Sequence, residues 1–288
     1  MTSESTKSVL VTGSSSGIGN AVTLHLAQQG YTVLATVRKE SDASTLNKLG
    51  LKNLKPIYPV DLTKPEEILS ATQFIKEQAD SNKIPPLYAI INIAGGGSIT
   101  PIELMKIADF REELEKRIIA PVTLLQELIP LLRDTKGRIL WIATPGLFPV
   151  PFVADIHAPD YAVNYLARTL NLELLPDGIK NTLIRCGGIK TPSVKRTKNE
   201  LIEKFKNHSA GKFGIYKNRL LSLQKGFEAF DSKRTDSEEV AKIIAKVLRI
   251  KRPKTKYQVG HMAKLGAVLE TLPQSWVDFI MKKRERNI

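Results

Sequence analysis

Three ionisable side chains stand close together in the segment "ADIHAPD" (154–160), which precedes a long amphipathic pattern. Asp155, His157 and Asp160 lie within six residues of each other, and Arg117 belongs to a predicted helix expected to lie opposite them. A histidine or a carboxylate in an enclosed site can exchange protons with a substrate, and an arginine can stabilise developing negative charge. Two structural alternatives stay open: Arg117 and Asp160 form a compensating ion pair, and His157 is a partly exposed loop residue.

A glycine-rich turn, "TGSSSGIG" (12–19), lies between the first predicted strand and the first predicted helix. Gly13 permits a tight turn, Gly17 lets a pyrophosphate approach the backbone, and Gly19 lets the helix pack closely on the strand. The helix N-terminus supplies free N–H groups and the positive end of its dipole to an anion. Because a second strand follows and "NIAG" ends the fourth, the turn predicts a dinucleotide site; the alternative is a tight turn without a ligand.

Strands and helices alternate along the chain. Short apolar, β-branched runs predict strands at 8–13, 31–38, 54–62, 87–95, 137–144, 180–188 and 256–260. Periodic apolar residues predict helices at 17–30, at 64–81, at 107–134 with a kink at Pro121, and from about 160 to 176. The alternation predicts one α/β domain over 1–288, a doubly wound parallel sheet of about seven strands with helices on both faces. Its dinucleotide crevice is expected at the carboxyl ends of strands one and four.

Composition narrows the class of protein. The chain is 42% hydrophobic and 25% charged, which is typical of a globular domain. Its single cysteine, Cys186, excludes an internal disulfide and a multi-cysteine metal site, and no metal is expected. The polar start "MTSESTKSVLVTG" argues against a signal peptide, and no window approaches 18 uninterrupted apolar residues, so we expect no membrane span and a cytoplasmic location.

The net charge of +14 is concentrated late in the chain, where residues 193–225 hold nine Lys or Arg against two Glu. Nucleic acid, an anionic membrane or an acidic partner could each use such a surface. No aromatic-interleaved nucleic-acid motif accompanies the charge, so we interpret it as a solvated face and predict no nucleic-acid partner.

Over nearly its whole length the sequence resembles the short-chain dehydrogenase/reductase family. The segments "VLATVRK", "NLELLPDGIK" and "KRPKTKYQVG" are similar to its 17β-hydroxysteroid and retinol dehydrogenase group. The resemblance implies a Rossmann-type fold and a homodimer or homotetramer formed through helices at 103–133 and 160–176. It also implies cofactor contacts at the pyrophosphate (Gly13, Ser16, Gly17, Ile18 and Gly19), at the adenine (Asp61 and Leu62), along the dinucleotide (Asn92, Ala94 and Gly95) and after strand six (Ile189, and Thr191 at the carboxamide).

The end of strand two bears on which dinucleotide binds. An enzyme that uses NAD carries Asp or Glu there to bind the ribose 2′-hydroxyl. This chain has "ATVRK" instead, with no acid and with Arg38 and Lys39 available to a 2′-phosphate. Because a guanidinium binds phosphate oxygens in pairs, NADP(H) is the predicted cofactor. The alternative is that Arg38 is only a solvated charge at the end of a strand.

The family reduces carbonyl groups with a tyrosine that donates a proton, a lysine four residues later, a serine, and an asparagine in the long central helix. Aligned without a gap from "YAVNYLARTLNLEL", this chain has Ile156 at the tyrosine position and Asp160 at the lysine position. Thr144 stands at the serine position and Arg117 at the asparagine position. The resemblance therefore implies a degenerate catalytic site.

A second alignment takes Tyr161 as the catalytic tyrosine. It places Tyr165 where the lysine belongs and needs four extra residues in the preceding loop. Under this alignment the protein would be an ordinary NADPH-dependent carbonyl reductase with one catalytic residue preserved.

Three functions follow. The first is a repurposed oxidoreductase or cyclase-like enzyme that binds NADP(H) and reduces substrates such as iminium ions, with new catalytic residues. The second is an inactive dinucleotide-binding scaffold, a pseudoenzyme, and the third is the carbonyl reductase that uses Tyr161. Residues 189–236 are expected to form an extended helical substrate lid, whose basic side chains would attract an anionic substrate. Its apolar residues predict a small, largely apolar substrate, unless they only pack the lid: Phe205, Phe213, Tyr216, Leu220, Leu221 and Phe227.

Overall fold

The computed structural model describes residues 6–146, 148–192, 196, 199, 203 and 212–286. Side chains are described at these positions except at 212, 213, 224–229 and 284–286. Within this part of the chain, no helix combines the length and the apolar character needed to cross a membrane.

A seven-stranded parallel sheet forms the centre of the molecule, in the order β3-β2-β1-β4-β5-β6-β7. The strands are β1 (Ser8–Val11), β2 (Thr32–Thr36), β3 (Leu54–Ile57), β4 (Leu87–Asn92), β5 (Arg138–Ala143), β6 (Lys180–Cys186) and β7 (Lys256–Val259). The chain runs outward from β1 to one edge and then returns to β4 to build the other half. The point where the strand order reverses therefore lies between β1 and β4, and a crevice opens there at their carboxyl ends.

Helices cover both faces of the sheet because successive strand residues point to opposite sides. Val9 and Val11 belong to one core cluster, and Leu10 belongs to the other. On the first face lie α1 (Gly17–Gln28), α2 (Glu40–Asn47) and α8 (Ser237–Arg249). On the second face lie α3 (Pro65–Asp80), α5 (Ala120–Thr135) and α6 (Ala154–Glu173). The other helices are α4 (Ile107–Leu114), α7 (Lys212–Asp231), α9 (Ala263–Leu269) and α10 (Gln274–Arg286). The predicted fold class is confirmed.

The predicted long helix is interrupted where a kink was expected. Between α4 and α5 the chain forms a π-helical turn (Glu115–Ile119). Pro121 has no N–H, so the carbonyl of Arg117 lacks the donor that an α-helix would supply four residues later. The turn thereby sets the direction of the Arg117 side chain.

Helix α6 begins at Ala154, and the prediction that it starts near residue 160 is wrong. Pro159 lies inside the helix, where its missing N–H costs one hydrogen bond with the carbonyl of Asp155. The backbone N–H groups of Ile156 and His157 both donate to the Val153 carbonyl, so the helix is already formed before the proline. The segment "ADIHAPD" is therefore the first two turns of α6.

Candidate active site

A cavity of about 870 Å³ opens at the carboxyl ends of the strands. Its first end is formed by the β1–α1 turn, Arg38 and Asp61. Its second end is formed by the loop after β4, the π-helical turn and the start of α6, and its wall there includes Arg117, Thr144, Asp155, Ile156 and Asp160. The sequence-predicted glycine turn and most of the predicted catalytic cluster therefore face one continuous cavity.

The glycine turn has the geometry that a pyrophosphate requires. Gly13 and Gly17 have φ values of +68° and +55°, a conformation that favours glycine. A Cβ on Gly19 would lie 2.0 Å from the carbonyl oxygen of Gly13, so a side chain there would separate helix from strand. No acidic residue stands in the first turn of α1, which leaves the positive end of the helix dipole to an anion. The turn fits a bound dinucleotide.

Thr12 holds the two central strand ends together, and the sequence analysis did not single it out. Its buried Oγ1 accepts hydrogen bonds from the N–H groups of Ile93 (2.9 Å) and Ala94 (3.3 Å). A Cβ on Gly13 would lie only 3.2 Å from Ala94 Cα, so the turn packs closely against the residues that follow β4. The available signal was a threonine directly before the first glycine, at the end of a buried strand.

Arg38 and Asp61 flank the cavity at the end of β2 and after β3. Arg38 is exposed and lines the cavity, and the preceding residues of the wall, Thr36 and Val37, are uncharged. Burial would raise the pKa of Asp61, but hydrogen bonds from the Thr63 N–H and hydroxyl and the positive charge of Arg38 hold it below its ordinary value. Arg38 is therefore available to an anion at this end of the cavity, and β2 itself carries no acid.

Other predicted cofactor residues divide into two groups. Those in the cavity wall, besides the glycines of the turn, are Ser16, Ile18, Arg38, Asp61, Leu62, Ala94, Gly95 and Thr191. Lys39, Asn92 and Ile189 are outside it. Lys39 is the exposed N-cap of α2, and Ile189 is buried in the core on the α1 side. Asn92 is buried, with no hydrogen-bond partner for its side chain among the described residues. Their cofactor contacts stay predictions.

Arg117 lies at the centre of a buried polar network. Its Nη1 donates to Asp160 Oδ1 (2.9 Å), its Nε to Glu113 Oε2 (3.1 Å), and its Nη2 to the carbonyl of Gly96 (2.9 Å). Asp160 Oδ2 accepts a hydrogen bond from the Thr144 N–H (2.9 Å). The compensating ion pair considered from the sequence is therefore present, and it also holds the ends of β4 and β5.

The charges of this network reinforce one another. Burial disfavours the charged form of Arg117, but the carboxylates of Asp160 and Glu113 hold the pKa of the guanidinium above its ordinary value. Burial also opposes ionisation of Glu113, but the Arg117 guanidinium and the Gly96 N–H hold the pKa of this carboxyl below its ordinary value. The network stabilises two carboxylates around one guanidinium.

Ile156, which the gapless alignment assigns to the tyrosine position, lies in the cavity wall. Gly97 has a φ of +110°, and a Cβ on it would lie 2.1 Å from Ile156 Cγ1, so the loop after β4 packs directly on the isoleucine. Tyr161 is absent from the cavity wall, and 40% of it is exposed. Five residues along a helix rotate the side chain by about 140° from the starting face. Burial and the charge of Glu270 raise the pKa of Tyr161.

Two buried polar atoms in the cavity wall have no hydrogen-bond partner among the described residues. They are Asp155 Oδ1 and Thr144 Oγ1. The other carboxylate oxygen of Asp155 accepts hydrogen bonds from the Ser98 N–H (2.7 Å) and hydroxyl (3.0 Å). Buried polar atoms are rarely left unpaired, so these two are candidate contacts for a ligand.

His157 lies in the first turns of α6, so the expectation of a loop position is wrong. It is half-buried and outside the cavity wall, and its Nδ1 has no partner within the described part of the chain. Burial lowers the pKa of His157. The negative charges of Asp160 and Asp155 oppose this lowering, so His157 lies near both carboxylates without forming part of the cavity wall.

Arg185, on β6, connects the end of β5 to α6 and to Glu270. It is fully buried and donates to the Thr144 carbonyl (3.0 Å), to Asn164 Oδ1 (3.0 Å) and to both carboxylate oxygens of Glu270 (3.0 Å each). Burial lowers the pKa of Arg185. The sequence analysis missed it; the available signal was an arginine inside an otherwise apolar strand, which needs a buried partner.

The predicted lid (189–236) is described only in part, and within it Phe205 lies outside the described residues, as do the side chains of Phe213 and Phe227. On α7, Leu220 is fully buried against Phe152, and Tyr216 donates to Glu103 Oε2 (2.8 Å). Neither residue lines the cavity, and Leu221 is partly exposed. These contacts attach α7 beside the cavity. For Tyr216 and Leu220 they agree with the alternative that the apolar residues of the lid pack the lid and do not line the substrate site.

A sequence model of the short chain dehydrogenase family matches residues 7–201. The chain is 29% identical over 263 residues to 3-amino-tetrahydro-pyrrolizinone reductase of Xenorhabdus hominickii, covering 90% of this chain and 88% of that protein. It is 34% identical over 199 residues to 11-beta-hydroxysteroid dehydrogenase type 2 of Homo sapiens, covering 66% of this chain. In that comparison the chain spans about half the length of the relative, 47%.

A crystal structure of L-sorbose reductase from Gluconobacter frateurii, complexed with NADPH and L-sorbose, has a similar fold. The TM-score is 0.70 at 22% sequence identity, with 87% of this chain and 93% of the other covered.

Proposed function

The chain belongs to the short-chain dehydrogenase family, and we propose that it is an NADP(H)-dependent reductase that works without the family's tyrosine and lysine. The observation that carries the proposal is the pair of residues at those two positions, both in the cavity wall. Ile156 packs on Gly97, and Asp160 is bound to Arg117. The substrate is a small, largely apolar metabolite that enters at the second end of the cavity.

Arg38 supports NADP(H) as the cofactor. It is the cation at the end of β2, where no acid opposes a 2′-phosphate. The glycine turn would hold the pyrophosphate, and Thr191 in the wall is available to the carboxamide. Bound NADPH would supply a hydride. The similarly folded L-sorbose reductase was crystallised with NADPH.

The residues at the second end of the cavity determine which hydride acceptors this site can reduce. Reduction of a ketone needs a proton for the oxygen that becomes negative. Ile156 has no proton to donate, and the carboxylate of Asp160 is occupied by Arg117 and the Thr144 N–H. An acceptor that already carries positive charge, such as an iminium carbon, accepts hydride without a proton donor. The relative from Xenorhabdus hominickii is named as the reductase of a nitrogen heterocycle.

Oxidation of NADPH with two matched acceptors tests the proposal. N-methyl-3,4-dihydroisoquinolinium is a permanent cation, and 1-tetralone is a neutral bicyclic ketone of similar size. We expect the cation to be reduced at least about 100-fold faster, because a missing proton donor costs the ketone about that factor. Tight NADPH binding without reduction of either compound would support the scaffold function instead, and faster reduction of the ketone would support an ordinary carbonyl reductase.

The nucleotide preference is measured by titration with NADPH and NADH. Arg38→Asp is expected to reverse or abolish the preference for NADPH, because it places a carboxylate where the 2′-phosphate binds. Equal affinities in the unaltered protein would contradict the cofactor assignment.

We also propose that copies of the chain associate through α5 and α6. Ile119 (51% exposed), Tyr165 (71%) and Leu172 (75%) form apolar surface at this side of the molecule. Light scattering at micromolar concentration is expected to show a dimer or tetramer, and a monomer would contradict it.

A further inference from the structure

We propose that Asp155 is the counter-ion of a cationic nitrogen subsite, so that the substrate carries a positively charged nitrogen at the second end of the cavity. This inference rests on the proposed function and adds the charge of the substrate and the residue that selects it. It is carried by the unpartnered carboxylate oxygen of Asp155 in the cavity wall.

Asp155 is built into the structure as an oriented acceptor. The residue is only 2% exposed. Its Oδ2 is fixed by the Ser98 N–H at 2.7 Å and the Ser98 hydroxyl at 3.0 Å, and that hydroxyl lies 3.1 Å from Thr100 Oγ1. Oδ1 is left without a partner among the described residues. Two hydrogen bonds to one oxygen lock the carboxylate plane, so the second oxygen is presented in a constant direction.

The neighbouring charges leave Asp155 unmatched. Arg117 already binds Asp160 and Glu113, and Lys116 binds Glu112 and Glu113. The charge of Asp155 also acts on His157, but burial lowers the pKa of that imidazole. Within the described part of the chain, Asp155 forms no ion pair. A buried carboxylate without a counter-ion is costly, and a bound cation would relieve that cost.

Thr144 gives the subsite a second polar contact. Its Oγ1 is buried in the same wall and has no partner among the described residues. The Arg185 guanidinium holds the Thr144 carbonyl at 3.0 Å, and Asp160 holds its N–H, so the hydroxyl is fixed at the end of β5. Ile156 adds apolar surface to the same cavity wall, which favours a weakly hydrated, carbon-substituted nitrogen over an inorganic cation.

The reaction at this subsite is balanced without a proton. Bound NADPH would supply one hydride to the carbon of the C=N⁺ bond, and the π electron pair of that bond would become the lone pair of nitrogen. The iminium carbon would be reduced at the expense of the dihydronicotinamide, and the product would be a neutral tertiary amine. The charge that Asp155 binds is present in the substrate and absent from the newly formed amine.

Asp155→Asn tests the subsite, because the amide oxygen can still accept both hydrogen bonds from Ser98 while the charge is lost. Asp134→Asn is the matched control, since Asp134 is exposed near the end of α5 and lies outside the cavity wall. Each variant is loaded with NADPH and assayed with N-methyl-3,4-dihydroisoquinolinium and with 1-tetralone. Binding of the non-reducible cation N,N-dimethyl-1,2,3,4-tetrahydroisoquinolinium to the NADPH-loaded protein is measured by calorimetry.

Asp155→Asn is expected to lower affinity for the non-reducible cation by at least about 10-fold, because this cation has no N–H and is held only by its coulombic attraction to the buried carboxylate. Its kcat/KM for the iminium substrate should fall by a similar factor, while the values for 1-tetralone and for NADPH binding stay within about threefold. Asp134→Asn should resemble the unaltered protein.

Unchanged cation affinity in Asp155→Asn would overturn the inference while leaving the proposed reductase function standing. So would failure of the unaltered, NADPH-loaded protein to bind the cation. A protein that does not bind NADPH at all would instead refute the proposed function.

Discussion

Replacing Arg117 with methionine should destabilise the protein more than replacing Asp160 with asparagine, although both changes break the same ion pair. Arg117→Met leaves two buried carboxylates without their guanidinium: Asp160, 2% exposed, and Glu113, 5% exposed. Removing one partner of a buried pair costs about 3–5 kcal/mol. Glu113 keeps Lys116 (3.3 Å) and the Gly96 N–H (2.8 Å), so we expect a loss of about 4 kcal/mol in the free energy of unfolding.

Asp160→Asn is milder because Arg117 keeps two acceptors, Glu113 Oε2 (3.1 Å) and the Gly96 carbonyl (2.9 Å). The asparagine oxygen can still accept the Thr144 N–H. The expected loss is that of one hydrogen bond between charged groups, about 1.5–3 kcal/mol. The difference between the two variants is therefore about 2 kcal/mol.

Urea unfolding followed by circular dichroism measures these costs without nucleotide. Arg133→Met is the matched control, because Arg133 pairs with Asp177 at 2.9 Å while 52% of its side chain is exposed. Such a surface pair contributes about 0–1 kcal/mol. A loss in Arg117→Met no larger than in Arg133→Met would refute the account of the buried network, and so would an equal loss in Arg117→Met and Asp160→Asn.

Three further predictions follow from single residues. Gly19→Ala should abolish dinucleotide binding in a fluorescence titration, because its Cβ would lie 2.0 Å from the Gly13 carbonyl. Gly50→Ala also strains the backbone, at a φ of +67°, but its Cβ would meet nothing within 4 Å and it lies outside the cavity wall, so this control should still bind the dinucleotide. The pKa of the Glu113 carboxyl lies below its ordinary value of 4.5, so its ionised form stabilises the fold above about pH 4.5, and this stabilisation is lost as the pH falls through the lowered pKa. Glu113→Gln should therefore reduce the loss of unfolding free energy at acid pH, measured by urea unfolding at a series of pH values. An unchanged dependence on pH would contradict this. Tyr161→Phe should leave kcat/KM within a few-fold, and a loss of a hundredfold with fold and nucleotide binding intact would show that Tyr161 is the acid after all.

The sequence was sufficient to predict the sheet and the glycine turn because both depend on local patterns. Buried parallel strands are continuous apolar runs, and the glycine turn is contained in eight consecutive residues. Helix α2 was not predicted, since its eight residues, "ESDASTLN", bury only Ala43 and Leu46 and show little periodicity. The start of α6 was misplaced because Pro159 resembles a helix boundary.

The substrate end depends on contacts between distant residues, which no local pattern records. Asp155 is oriented by Ser98, 57 residues earlier in the chain, and Arg117 meets Asp160 across 43 residues. Arg185 reaches Glu270 across 85 residues to hold the strand beneath Thr144. Residue types in "ADIHAPD" predicted a polar site. Only the fold distinguishes Asp155, which has an unpartnered oxygen among the described residues, from Asp160, whose two oxygens are both hydrogen-bonded, and from His157, which lies outside the cavity wall.

We propose that a nicotinamide bound to this protein faces Ile156 and Asp160, where other family members have a tyrosine and a lysine. A crystal structure with NADPH bound tests it most directly. We predict the pyrophosphate at the glycine turn, the 2′-phosphate within hydrogen-bond reach of Arg38, and Ile156 and the Asp160–Arg117 pair beside the nicotinamide, with Tyr161 on the opposite side of α6. A structure in which the Tyr161 hydroxyl lies within hydrogen-bond distance of the nicotinamide ribose, or in which the dinucleotide binds outside the cavity, would contradict the claim.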